Sequence, residues 1–176
     1  MAQDDQISDT GVSRVIYNGI PDWVFEEEVF EDNKALWWSP DATKLVWGSF
    51  DDSKVETYLL QKYGPWRGVW NYPNLLEVRY PKVGERNPVN TLWMTDLTNM
   101  EKKQILPPQS MQGSETHFSQ VTWANQGQKF AVTWFNRVQN ESVVTLCDVN
   151  ELDCSGNELF KRVSSNTVWK FKKKCH

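Results

Sequence analysis

The chain has 176 residues, a formal net charge of -4, 13% aromatic residues and ten tryptophans. That much large apolar surface excludes a disordered chain, and the length allows one domain or a piece of a larger one. Acids and bases are interspersed with no basic stripe to follow a phosphate backbone, so nucleic acid is not expected as a partner.

The start, Met1 to Gln6, is polar and acidic, without the basic opening and apolar core of a secretion signal, and no later stretch approaches membrane-spanning length. Residues 1–11 are expected to be a leading or disordered segment before a domain spanning 12–165. Within it, Pro21-Asp22-Trp23-Val24-Phe25-Glu26-Glu27-Glu28-Val29-Phe30 sets three acids in succession among apolar residues. An acidic run is ordinarily a solvated face. Here Trp23, Phe25, Val29 and Phe30 compete for burial, so some carboxylates are expected at the wall of a concave, partly desolvated site. An ammonium or guanidinium would relieve their repulsion there.

Short runs rich in β-favouring residues follow: 35–39, 44–50 and 55–60, separated by turn chemistry at Ser39-Pro40-Asp41 and Asp51-Asp52-Ser53. An irregular aromatic insertion is expected over Tyr63 to Tyr80, then a fourth strand over 90–97. The scheme recurs at 118–123, 129–135, 142–147 and 158–163. Trp38-Ser39-Pro40-Asp41-Ala42-Thr43-Lys44-Leu45 superimposes on Trp123-Ala124-Asn125-Gln126-Gly127-Gln128-Lys129-Phe130, tryptophan on tryptophan and Lys-apolar on Lys-apolar. Alternating strands alone fit a sandwich equally well; the repeat favours blades of a β-propeller. Two blades cannot close a ring, so the chain reads as part of a larger domain.

Two features bear on compartment. Asn140-Glu141-Ser142 is a glycosylation sequon, or a chance match; Cys147 and Cys154 are close enough to join across a hairpin end, or are buried thiols. Cys175 is left over in either case, beside the lysine-rich end of a divergent basic tail at 166–176. Gly11-Val12-Ser13-Arg14-Val15 lacks the closing glycine of a nucleophile elbow. His117 and His176, read as a loop and a terminal residue, have no evident Ser and Asp partnership. No His/Cys/Asp grouping has metal-ligand spacing, so neither metal nor cofactor is expected.

The stretch from Asn18 through Phe30, its continuation Ala35-Leu36-Trp37-Trp38-Ser39-Pro40-Asp41, and Tyr80-Pro81-Lys82-Val83-Gly84 with Asn87-Pro88-Val89 together resemble the N-terminal propeller of the dipeptidyl peptidase IV family. Val121-Thr122-Trp123-Ala124, Arg137-Val138-Gln139-Asn140 and Cys147-Asp148 fit the same segment, so the resemblance runs from about Val12 to Phe160. It implies an all-β fold, about two four-stranded blades of an eight-bladed propeller, with a short helical insertion carrying the glutamates. It also implies that Glu27 and Glu28 grip the free amino terminus of a peptide substrate, with Glu26 structural at most. The parent would be a secreted or membrane-anchored serine exopeptidase releasing N-terminal dipeptides, preferring Pro or Ala at the second position and homodimeric. Its hydrolase domain, with the Ser-Asp-His triad, would lie outside this chain, leaving the chain inactive alone. The alternative is a non-enzymatic interaction propeller, like the inactive relatives of the group. Phe25 stands where the family pattern has tyrosine, which keeps the ring and loses a hydroxyl hydrogen bond.

Overall fold

The computed structural model describes residues 4–64, 72–113, 115–151, 154 and 158–163. The basic tail at 166–176, with Cys175 and His176, and part of the aromatic insertion lie outside the described residues. The chain divides into two compact units: Met1–Ala35 with Ser49–Val89, and Leu36–Gly48 with Asn90–His176. Both are built of antiparallel strands, in keeping with a partial propeller.

In the first unit, strand β1 (Ile16–Asn18) pairs with the end of β3 (Lys44–Asp51), Tyr17 opposite Phe50. Strands β4 (Thr57–Lys62) and β5 (Asn74–Arg79) form a separate two-stranded ribbon, Tyr58 opposite Val78. β5 falls inside the stretch that the sequence presents as an irregular insertion. Leu75, Glu77 and Arg79 alternate with Asn74, Leu76 and Val78, so neither face is uniformly apolar and the period-two signal is faint. The apolar centre of this unit is Phe25, Phe30, Ala35, Phe50 and Val55, each at most 4% exposed.

In the second unit, the start of β3 pairs with β2 (Leu36–Trp38), Trp38 opposite Leu45. β3 also neighbours β6 (Val89–Asp96), which pairs with β7 (Glu101–Ile105). β7 is legible only in hindsight, since Glu-Lys-Lys-Gln is exposed and Ile105 alone is buried. A second sheet is a meander of β8 (Thr116–Ala124), β9 (Lys129–Asn136), β10 (Glu141–Asp148) and β11 (Glu158–Val163). Its interior is made by alternation: Phe130, Val132 and Trp134 from β9, and Val143, Thr145 and Cys147 from β10, are all buried.

The repeat read from the sequence corresponds to equivalent hairpins. Trp123 stands opposite Phe130 as Trp38 stands opposite Leu45. Both turns pass through the left-handed region, at Ala42 (φ 55°) in one and at Asn125, Gln126 and Gly127 (φ 48°, 54° and 89°) in the other. At Gly127 the φ of 89° favours glycine, and an added Cβ would also approach the Pro40 Cδ to a tight 3.2 Å.

Candidate functional site

Between β1 and β2 the chain makes an excursion closed at its base by Ala35 N–H donating to the Gly19 carbonyl at 3.0 Å. Its centre is a short helix from Trp23 to Phe30, whose last six residues, Phe25–Phe30, have the wide π-type turn. Asp22 caps it: Oδ2 accepts from Val24 N–H at 2.9 Å, and its backbone carbonyl accepts from Glu26 N–H at 2.9 Å. Glu31, at φ 53°, ends it.

The wide turn has a packing reason. Phe25 and Phe30 are five positions apart, which on an ordinary α-helix would turn them well away from each other. An i to i+5 turn brings them to the same face. Both rings then pack on Phe50, with centroids 4.9 and 5.9 Å away. With these two rings inward, Glu27 and Glu28 are exposed and Glu26 is half-buried. None of the three forms an ion pair with a described residue. Phe25 is 1% exposed, so the ring that replaces the expected tyrosine serves here as a core group.

The glutamates do not line either concavity described in this unit. One, of about 490 Å³, is walled by Trp23, Tyr58, Leu60, Val78, Tyr80 and Lys82, with the Trp23 and Tyr80 rings 4.7 Å apart. The other, of about 380 Å³, has Arg14, Tyr17, Trp23, Asp52, Glu77 and Arg79 among its walls. The desolvated carboxylates are therefore other ones than the sequence suggests. Asp22 and Asp52 are each 3% exposed. Burial pushes Asp22 up to about 6, against the opposing pull of the backbone N–H groups of Val24 and Phe25. Burial and then the charge of Asp22 push Asp52 up to about 7, with Arg79 pulling the other way. Arg79 Nη1 donates to the carbonyls of Asp52, Ser53 and Val55 at 3.0, 3.3 and 2.8 Å, pinning the turn after β3. In the sequence Asp22 precedes an apolar helix, a cap signal, whereas Asp52 looks like ordinary turn chemistry.

His117 is not a loop residue. It lies on β8, is 4% exposed, and has the Phe135 ring 5.6 Å away. A register shift between Phe118 and Gln120 lets neighbouring His117 and Phe118 both enter the interior. Asn90 Nδ2 donates to His117 Nδ1 at 2.7 Å, and Glu115 Oε1 faces Nε2 at 3.3 Å while also pairing with Arg137. Burial lowers the His117 pKa against the opposing pull of the Glu115 carboxylate, and the ring packs as an interior group of the sheet.

Asn140 sits half-buried at the β9–β10 turn, where its Oδ1 accepts from Asn136 Nδ2 at 2.8 Å. Cys147 and Cys154 are joined in a disulfide. Among the described residues no grouping of three or more His, Cys, Asp or Glu could hold a metal, and no helix is long and apolar enough to cross a membrane.

Residues 2–175 match the family model for the dipeptidyl peptidase IV (DPP IV) N-terminal region, a span wider than Val12 to Phe160. The chain is 37% identical over 149 residues to a Mus musculus prolyl endopeptidase FAP, covering 83% of this chain and 19% of that protein. It is 40% identical over 137 residues to a Vespula vulgaris venom dipeptidyl peptidase 4, covering 76% of this chain and 18% of that protein. The crystal structure of Porphyromonas gingivalis dipeptidyl peptidase 4 superimposes with a TM-score of 0.79 at 24% identity, over 92% of this chain and 22% of that one, a likeness of fold. The chain thus spans about a fifth of the length of the relatives it matches.

Proposed function

The chain belongs to the dipeptidyl peptidase IV N-terminal region family, and from that premise we propose that it supplies the recognition of a peptide's free amino terminus, with Glu27 and Glu28 as the contacting carboxylates. The observation that carries this reading is the presentation of two adjacent exposed acids, unpaired among the described residues, on a helix anchored by two buried rings. A rigid anchor holding unneutralised carboxylates outward is suited to a cationic ligand.

The chemistry selects an unblocked terminus. An α-ammonium has an ordinary pKa of about 7.7–8.0, so it is largely charged at neutral pH, and it offers three N–H donors to carboxylate acceptors. Each charge-assisted bond is worth about 1.5–3 kcal/mol when shielded from water and less when exposed. A fixed ammonium also measures length. Two residues reach about 7 Å along an extended chain, which sets the second peptide bond at the reacting groups of a neighbouring domain.

On this reading the parent is a serine exopeptidase that releases N-terminal dipeptides, with Pro or Ala preferred at the second position. Its nucleophile and triad sit on a hydrolase domain outside this chain, and the assembly is a homodimer. Location outside the cell, secreted or membrane-anchored, agrees with the Cys147–Cys154 disulfide and with glycosylation at Asn140. The test is binding of a C-terminally labelled dipeptide with a free amine, compared with its N-acetylated twin. Preference for the free amine, lost in Glu27→Gln and Glu28→Gln, supports the assignment; equal binding of the two peptides rejects it and favours an interaction propeller without peptide recognition.

A further inference from the structure

Asp22 and Asp52 belong to no role described so far except capping and turn formation, and each is only half used. Asp22 directs Oδ2 to Val24 N–H, while Oδ1 is buried with no hydrogen-bond partner among the described residues. Asp52 contributes its backbone, N–H to the Val15 carbonyl and C=O to Arg79, while its Oδ1 is likewise buried and unpartnered. An ionised carboxylate with a buried bare oxygen is costly, and the charge of Asp22 adds to that cost at Asp52. A proton on each carboxyl removes the buried charge and the repulsion.

The other charges nearby do not supply that relief. Glu26 on the helix and Asp51 on β3 add negative charge. Arg79 on β5 attracts, but its Nη1 is directed to three backbone carbonyls. Burial, then the charges of Asp52 and Asp22, raise the pKa of Tyr17 on β1 against the pull of Arg14 and Arg79, so it stays neutral.

We propose that Asp22 and Asp52 form a protonation-dependent brace that positions the helix carrying Glu27 and Glu28. With both carboxyls neutral, Asp22 remains inward and its Oδ2 holds Val24 N–H. When both ionise, repulsion and desolvation drive the Asp22 side chain toward water, the cap is released, and the first turn loosens. Glu27 and Glu28 then lose their fixed placement. Asp22 and Asp52 are thus positioning residues; their bearing on substrate rests on the reading of Glu27 and Glu28 as amine contacts, whereas the brace itself does not.

The experiment is amide hydrogen exchange at Val24 and Glu26, corrected for intrinsic rates, from pH 5.5 to 8 on the whole chain. Wild type is expected to lose at least tenfold in protection across that range. Asp22→Asn, which keeps an acceptor for Val24 and cannot ionise, should hold protection flat. Asp52→Asn, which removes the repelling charge, should make the loss smaller than in wild type. Protection of the β9 amides reports that each variant is folded. Constant wild-type protection, or an unchanged pH profile in both variants, overturns the brace. The labelled dipeptide and its acetylated twin, compared at pH 6, separate the two ideas: equal binding removes the amine role and leaves the exchange result standing, while amine preference with flat exchange removes the brace alone.

Discussion

The indole Nε1–H of Trp47 donates to the Thr95 hydroxyl at 3.0 Å, and both residues are buried. The second sheet repeats the device, Trp134 Nε1–H donating to Thr145 at 2.9 Å. In each case a buried strand tryptophan is satisfied by a threonine on the neighbouring strand, which lets a large ring enter the core without an orphaned donor. Thr95→Val and Thr145→Val keep the shape and remove the acceptor. Each should cost about 1–3 kcal/mol, read as a lowered urea midpoint by tryptophan fluorescence, whereas Thr→Ser at either site should recover most of the loss.

Glu27→Gln and Glu28→Gln should leave the melting temperature within about 1 °C of wild type, because both side chains are exposed and unpaired among the described residues. Their effect should appear in binding, as a loss of roughly tenfold or more in preference for a free-amine dipeptide. Phe25→Ala is the contrasting case. It empties a site packed against Phe30 and Phe50 and should destabilise the first unit by about 3–5 kcal/mol. Thermal unfolding of the three variants side by side checks the separation of anchor from contact.

Stability of the first unit should fall as pH rises from about 4 to about 7. The carboxyls of Asp22 and Asp52 are raised from 3.8 to about 6 and about 7, so the folded unit holds protons that the unfolded chain releases near pH 4. That contribution is complete below the unfolded value and is lost as pH climbs through the folded ones, by about 3 kcal/mol for Asp22 and about 4 kcal/mol for Asp52. Asp41, held down to about 2 by the Ser39 and Thr43 hydroxyls, acts in the opposite sense between about pH 2 and 4 in the second unit. Urea titrations at pH 4.5, 6 and 8 on wild type and Asp52→Asn should show the slope in the first and a shallower one in the second.

Reduction of the Cys147–Cys154 disulfide should destabilise the second unit by about 2–2.5 kcal/mol, the loop-closure value for a bridge of sequence separation 7. The same loss should follow from Cys154→Ser. Melting with and without reductant, and no further effect of reductant on the variant, would establish it.

On the reading proposed above, the purified chain should release no dipeptide from a free-amine substrate at any pH, with activity appearing only when a hydrolase domain is supplied. Chromogenic dipeptide hydrolysis checks this, with measurable turnover by the chain alone as the contrary result.

The sequence by itself determined most of the strands, the hairpin repeat and the acidic run, because each is written in local chemistry. Trp38 and Trp123 precede tight turns that only certain residues can make, and strands such as Lys129–Asn136 alternate buried with outward positions. It was nearly silent on β5 and β7, whose ribbon and edge positions impose no apolar face. Tertiary structure alone decided which carboxylates lose their water. Glu27 and Glu28, conspicuous in the sequence, are turned outward because Phe25 and Phe30 take the inward face against Phe50. Asp22 and Asp52, separated by thirty positions and inconspicuous as cap and turn, are buried instead. Ionisation depends on the solvent that surrounding chain removes, and no local pattern records how distant segments close over a side chain.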